Sequence, residues 1–338
     1  MPEPVTDLSS VGSAGGVSSV GTPLLWGAFT LLVLALLALD LGVFHRKAHV
    51  VGVREALGWS IFWIALSLLF NLGVYFWHGS QVALEFFTGY VIEKALSVDN
   101  IFVFLVIFDY FAVPAAYRHR VLFYGILGAM IMRAVFILLG AALLAAFHWM
   151  MYVFGAVLVY TGVKLFLQQE TEVHPERNPL FRLFSRVVPA VSEYRGPRFV
   201  VRDLGRWFAT PLLLVLVAIE ATDVVFAVDS IPAAFGFSKD PFIVYTSNIC
   251  AILGLRALFF LLAGVMEGLH YLRAGLAMVL VFVGVKMLAT DLYKDKVSDK
   301  VAIVVSLAVV TLLIAGAVVA SLVRQRVIAS APQDPPAD

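Results

Sequence analysis

Six carboxylates stand inside apolar stretches long enough to cross a bilayer: Asp40, Glu93, Asp99, Glu220, Asp223 and Asp229. Only three cations are as deeply placed, Lys94, Arg133 and Arg256, so six acids against three bases leave a surplus of three negative charges. An ionised side chain at a helix centre costs roughly 2.5–3.5 kcal/mol on insertion scales, so such groups face the bundle interior or a wet cavity. If every acid served structure alone, the signs would nearly balance. A cluster that keeps net negative charge calls for a cation, and a divalent ion fits that demand. Burial can also hold some carboxylates protonated, which would suit proton-coupled chemistry. The neighbouring donors Asn100, Thr222 and Ser230, with freed backbone carbonyls, are hard oxygen ligands, while the seven histidines lie in or near loops. That set favours manganese, calcium or magnesium over zinc or copper.

Glu220 and Asp223 are three residues apart and share a helix face, whereas Asp223 and Asp229, six apart, diverge on a regular helix. Pro232 lacks a backbone donor, and local unwinding there would bring the two aspartates together. The matching position in the first half is Phe102, and a straight third span of 27 residues (82 to 108) would reach about 40 Å, so it must tilt or bend. Arg133 and Arg256 read as structural partners of the acids, with a gating counter-charge as the alternative, and Lys94 as the partner of a neighbouring acid. Lys164 and Lys286, near span ends, are expected to snorkel to the interface. Glu85, Asp109, Glu267 and Asp291 are expected in water. Met130 and Met132, beside Arg133, read as packing.

The chain that must position these groups has 338 residues, 61% hydrophobic and 14% charged, with mean hydropathy +0.94. One water-soluble core cannot bury that much apolar surface. Nine helical spans are expected, near 23–44, 57–77, 82–108, 121–147, 150–167, 210–231, 242–265, 270–290 and 301–323. Fifteen Lys and Arg residues fall in loops on one side and four on the other, which places the amino terminus outside and the carboxyl terminus in the cytoplasm. Residues 1–22, without Lys or Arg, read as a flexible extracytoplasmic tail, and the run that follows as a retained helix rather than a cleaved signal. Residues 23–167 form a first transmembrane part and 210–323 a second. Between them, 168–209 is a cytoplasmic linker with a short amphipathic helix around Leu180 to Val188, and 324–338 is a cytoplasmic tail. A net charge of +1 argues against nucleic-acid binding. The single cysteine, Cys250, excludes a disulfide framework or thiolate cluster.

The two parts contain related segments. Glu93-KALSV-Asp99-Asn100-Ile101 matches Asp223-VVFAV-Asp229-Ser230-Ile231, Arg133-AVFILLG matches Arg256-ALFFLLA, and Gly162-Val163-Lys164 matches Gly284-Val285-Lys286. The offsets are 130, 123 and 122 residues. Each copy (82–167 and 210–290) holds three helices, an odd number, so the second enters from the opposite side. The expected fold class is therefore an all-α polytopic membrane protein with an inverted three-helix repeat that brings both acidic motifs near the midplane.

The stretches Glu93-KALSVDNIFVF, Ala218-IEATDVVFAVDSIPAAFG and Phe242-IVYTSNICAILGLRALFFLLAG resemble signature segments of the TerC integral membrane protein family, named for tellurium resistance and including Alx-like manganese exporters. The similarity runs from about Leu24 to Leu322. It implies a bacterial inner-membrane protein that moves manganese out of the cytoplasm, with Glu93, Asp99, Glu220, Asp223 and Asp229, and Asp40 of the first span, lining the metal route. Tellurite is an anion that such a route would repel, so the tellurium name reads as an indirect phenotype.

The function expected is secondary transport of a divalent cation, Mn2+ foremost, through Asp40, Glu93, Asp99, Asn100, Glu220, Asp223 and Asp229. No resident cofactor is expected. Proton antiport is the expected coupling, and no Walker motif points to ATP. Ca2+ or a cationic amino acid is the rival substrate, a membrane scaffold or insertion factor the rival class, and an enzyme the least favoured.

Overall fold

The expected runs 57–77 and 82–108 meet in one continuous element, α2 (Val53–Tyr110), bent where Gly79 takes φ 88° and ψ 177°. That positive φ suits glycine and strains residues with a side chain, so the bend divides α2 into two limbs. The computed structural model describes residues 19–39, 52–167, 178–191, 193–203, 205–262, 271–293 and 297–330, apart from the side chains of Asp99, Tyr293, Asp299 and 326–330. Around α2 run α1 (Pro23–Leu39), α3 (Ala115–Ala146) and α4 (Met150–Leu167). Then come α5 (Pro179–Val187), the strands β1 (Val200–Asp203) and β2 (Arg206–Ala209), and α6 (Pro211–Phe235). The chain continues through α7 (Pro241–Leu253), α8 (Leu255–Leu262), α9 (Leu272–Leu288), the short α10 (Thr290–Tyr293) and α11 (Asp299–Ser330). Among the described residues, five stretches are long and apolar enough to cross a membrane: Ala115–Ala146, Met150–Leu167, Pro211–Phe235, Pro241–Leu262 and Lys300–Gln325. The architecture is that of an all-α membrane protein with one small antiparallel hairpin.

Helix α1 is a short apolar rod whose buried residues Phe29, Val33 and Leu37 recur every four positions. This stripe packs on aromatic partners of α2 and α7, with Phe29 centred 5.2 Å from Phe70 and 5.9 Å from Tyr245. The amino-terminal tail is tied down where it is described. Asp240 caps α7 through the N–H of Phe242 at 2.8 Å, and also accepts from Ser19 Oγ at 2.8 Å and Val20 N at 2.6 Å.

Helices pair crosswise between the two halves. The second limb of α2 lies on α7, where a Cβ at Gly89 would sit 2.8 Å from Ser247 Oγ. Helix α3 lies on α6, with Gly125 against Ile219 and Gly140 against Phe235. Helices α4 and α9 cross at glycine. A Cβ at Gly162 would be 2.8 Å from the Ala277 carbonyl, and one at Gly284 2.7 Å from the Gly155 carbonyl. As the position rises along α4 it falls along α9, so the pair is antiparallel. Without an apolar driving force between helices in lipid, close backbone approach at small residues carries such a contact. Gly162→Leu or Gly284→Leu should therefore force the helices apart and destabilise the protein by at least about 1–3 kcal/mol. Gly316, on α11 with nothing near its would-be Cβ, should accept Ala silently. Thermal unfolding of the purified variants reads this, and a Gly284→Leu protein as stable as the wild type would refute the close crossing.

The described part of the linker, from Asn178 on, is folded. Helix α5 falls where the amphipathic helix was expected, with Asn178 as its N-cap, the side-chain oxygen accepting from Leu180 N at 3.0 Å. The hairpin had no clear signal in the sequence. It turns at Gly205, φ 80°, and pairs Val200 with Ala209 through Asp203 with Arg206. Tyr194 donates to the Phe111 carbonyl at 2.6 Å, and burial pushes its phenol above its ordinary value. Arg120 lies over the rings of Tyr124 and Phe199. The linker is thus bound to the ends of α2 and α3 as well as to α6.

Candidate functional site

Four helices deliver one side chain each to a buried ionic cluster. Glu93 comes from α2, Arg133 from α3, Asp223 from α6 and Asn248 from α7, with exposures of 3%, 1%, 3% and 1%. Arg133 straddles Asp223, its Nη2 3.2 Å from Oδ1 and its Nε 3.5 Å from Oδ2. Its Nη1 donates to Glu93 Oε1 and, at 3.0 Å, to Asn248 Oδ1. Asn248 Nδ2 closes the ring by donating to Glu93 Oε2 at 2.8 Å. A rigid guanidinium fork can serve two carboxylates at once where an ammonium cannot. One cation against two acids leaves the cluster one negative charge. Asn248 was not singled out from the sequence; its signal was the one amide in a helix whose other polar side chains are Tyr245, Thr246 and Ser247.

Asp229 faces elsewhere. It accepts from Thr161 Oγ1 of α4 at 2.9 Å and borders a cavity of about 90 Å3 that Asn100, Thr161 and Ser230 also line, among Leu96, Leu165, Phe226, Leu276 and Leu280. At about 30 Å3 per water, the volume suits an ion with one or two waters. Asn100 and Ser230 hold equivalent places in the two copies of the motif. Ser230 Oγ is buried and has no hydrogen-bond partner among the described residues. Among the described residues Asp229 forms no direct ion pair; Lys164 stands three residues beyond Thr161 in the last turn of α4.

The break expected at Pro232 does not occur. Helix α6 runs unbroken from Pro211 to Phe235 with Pro232 inside it, although the proline has no N–H to give the carbonyl four residues back. Six residues of regular helix then turn Asp223 toward α3 and Asp229 toward α4. The interruption lies instead between α7 and α8, at Gly254.

The other expected residues are placed as follows. Glu220 is wedged against Gly128 of α3, where any Cβ would overlap its carboxylate, and its Oε2 is buried without a hydrogen-bond partner among the described residues. Arg256 is buried on α8. Lys94 departs from the expected acid pairing and donates to the backbone carbonyl of Ala251 at 3.0 Å. Lys286 turns inward rather than snorkelling, giving a hydrogen bond to the Gly236 carbonyl at 3.1 Å and lying 4.3 Å from the centre of the Phe237 ring. Glu85 accepts from Ser238 Oγ at 2.6 Å. Asp40 and the side chain of Asp99 lie outside the described residues, although the backbone of Asp99 is helical and precedes Asn100 at the cavity. Among the described residues, no three Asp, Glu, His or Cys side chains form a group that could hold a metal. Asp229 therefore has only neutral oxygen donors as described companions.

The profile of the Integral membrane protein TerC family matches residues 78–328. An uncharacterized membrane protein of Myxococcus xanthus is 54% identical over 308 residues, which cover 91% of this chain and 95% of that protein. Alx of Salmonella typhi and of Escherichia coli K12, provisionally named a membrane-bound redox modulator, are 47% and 46% identical over 88% of this chain and 95% and 96% of theirs. No solved structure matches.

Proposed function

The chain belongs to the TerC integral membrane protein family, and from that premise we propose that it is a secondary transporter exporting a divalent metal cation, Mn2+ foremost, from the bacterial cytoplasm. The observation that carries this reading is the polar cavity at Asp229. It is a carboxylate without a direct ionic partner among the described residues, joined by the hydroxyls of Thr161 and Ser230 and the amide of Asn100. Carboxylate, amide and hydroxyl oxygens are the ligands that Mn2+, Ca2+ and Mg2+ prefer.

The substrate route runs between two copies of one three-helix unit. Nine spans cross the membrane: α1, the two limbs of α2, α3, α4, α6, α7 with α8, α9 and α11. The crosswise pairings support an inverted repeat. Gly89 against Ser247 and Gly125 against Ile219 are the same contact under the offsets of 130 and 123, to within one residue. The α4–α9 crossing maps onto itself, since Gly162 with Ala277 becomes Gly284 with Gly155 under the offset of 122. The loop arginines, from Arg118 through the linker to Arg324, put the amino terminus outside and the carboxyl terminus in the cytoplasm.

The name of the Alx proteins invites a redox reading. This chain carries one cysteine, Cys250, which is buried, so dithiol exchange within one chain has no second thiol. A carrier fits the side chains better.

Purified protein in liposomes should move Mn2+ down its gradient, faster when protons are more concentrated on the side Mn2+ is moving toward. Stronger competition by Ca2+ than by Mn2+ itself would reassign the substrate. Flux indifferent to the pH gradient would remove proton antiport, and no flux of any divalent cation would remove the carrier.

A further inference from the structure

Between α7 and α8 the helix stops for one residue, Gly254. A helix end leaves its last carbonyls without their usual N–H donors. A side chain of α2 takes up one of these: Lys94 Nζ on the second limb donates to the Ala251 carbonyl at 3.0 Å. Ser67 Oγ on the first limb, which donates to the Trp63 carbonyl at 2.8 Å, lies 3.4 Å from the Cys250 carbonyl. Among the described residues no backbone N–H from beyond the break reaches Ala251 O.

The ammonium fits a space made for it. A Cβ at Gly254 would lie 2.8 Å from Lys94 Nζ and 3.1 Å from Trp63 Cβ, so glycine leaves the room that the ammonium fills. Nor does this cation serve an acid. Its chain neighbour Glu93 is held by Arg133 and Asn248, and no described carboxylate pairs with Lys94. Freed carbonyls at the negative end of an interrupted helix are the groups that coordinate monovalent cations in transporter folds, and an ammonium offers them the same charge.

We propose that the α7–α8 break is a monovalent-cation site filled by the tethered ammonium of Lys94, and that removing that side chain lets free Na+ or K+ bind at the Ala251 carbonyl. Glu93 and Lys94 then grip α7 at Asn248 and Ala251, one helical turn apart, so this cation holds the end of the helix that orients Glu93. None of this depends on which ion the protein carries.

Thermal unfolding of the full-length purified protein in Na+, K+ or choline at matched ionic strength tests it. The wild type should unfold at one temperature in all three. K94A should unfold earlier in choline and regain a few degrees in Na+ or K+, saturating with concentration as ligand binding to the folded state requires. K94M, whose stem fills the space without charge, should be weakened equally in all three. A K94A protein no more responsive than the wild type, or a K94M protein that responds as strongly as K94A, overturns the proposal. If K94A is not recovered folded in choline, its yield of monodisperse protein in Na+ or K+ decides instead, and equal failure in all three overturns it. Gly254→Ala adds a geometric check: it should cost more in the wild type than beside K94A, and equal losses speak against a filled site.

Discussion

Arg133→Gln should leave little folded protein in the membrane. Arg133 is 1% exposed and holds Glu93 and Asp223 together from two other helices. Without the guanidinium those carboxylates face each other in a low-dielectric interior with only Asn248 between them. Breaking a buried ion pair from one side typically costs about 3–5 kcal/mol, and here two acids lose their partner at once. Against a total stability of about 5–15 kcal/mol that is a large fraction. Arg133→Lys should recover part of the loss, since one ammonium cannot reproduce the two-pronged grip on Asp223. Replacing all three charged groups together, Glu93→Gln, Arg133→Met and Asp223→Asn, should restore more folded protein than either arginine change alone, because no unpaired charge remains. Fluorescence-detected gel filtration and unfolding temperatures in detergent report these outcomes. Wild-type stability of Arg133→Gln would show that the cluster does not hold the helices.

Asp229→Asn should do the reverse, sparing the fold and removing transport. Asparagine has the same shape and can still accept from Thr161, and Asp229 has no direct ionic partner among the described residues to abandon. The loss in stability should stay below about 1 kcal/mol, the value of one ordinary hydrogen bond. A neutral amide is a much poorer ligand for a hard divalent ion, so cells with Asp229→Asn at equal membrane abundance should retain manganese as cells lacking the protein do, with efflux at least tenfold below wild type. Unchanged cellular manganese would sink the role given to Asp229. Equal loss of folding and of transport would instead favour a scaffold whose charges only knit helices.

The two variants separate acids that look alike in the sequence. Glu93, Asp223 and Asp229 all lie in apolar runs within one repeated motif, and nothing local distinguishes them. The partners differ because Arg133, Asn248 and Thr161 are 40, 155 and 68 residues from the acids they bond, and which helix lies beside which is decided by packing. Helical periodicity foretold that Asp223 and Asp229 would point apart unless the helix broke. It could not tell that α6 would continue through Pro232 while α7 and α8 would be interrupted at Gly254. Lys94 and Trp63, which face Gly254 there, arrive from another helix.

The membrane class, the family resemblance and the approximate positions of the long apolar helices were legible in the residues themselves. Hydropathy over about 20 positions is a local property, and covalent order preserves a repeat whatever the fold. Only the tertiary structure decided that Arg133 bridges Glu93 and Asp223, that Lys94 serves a backbone carbonyl, that Asp229 borders a cavity with Thr161, and that the described part of the linker is folded against the ends of α2 and α3. These outcomes depend on distances between segments far apart in the chain, which no local pattern encodes.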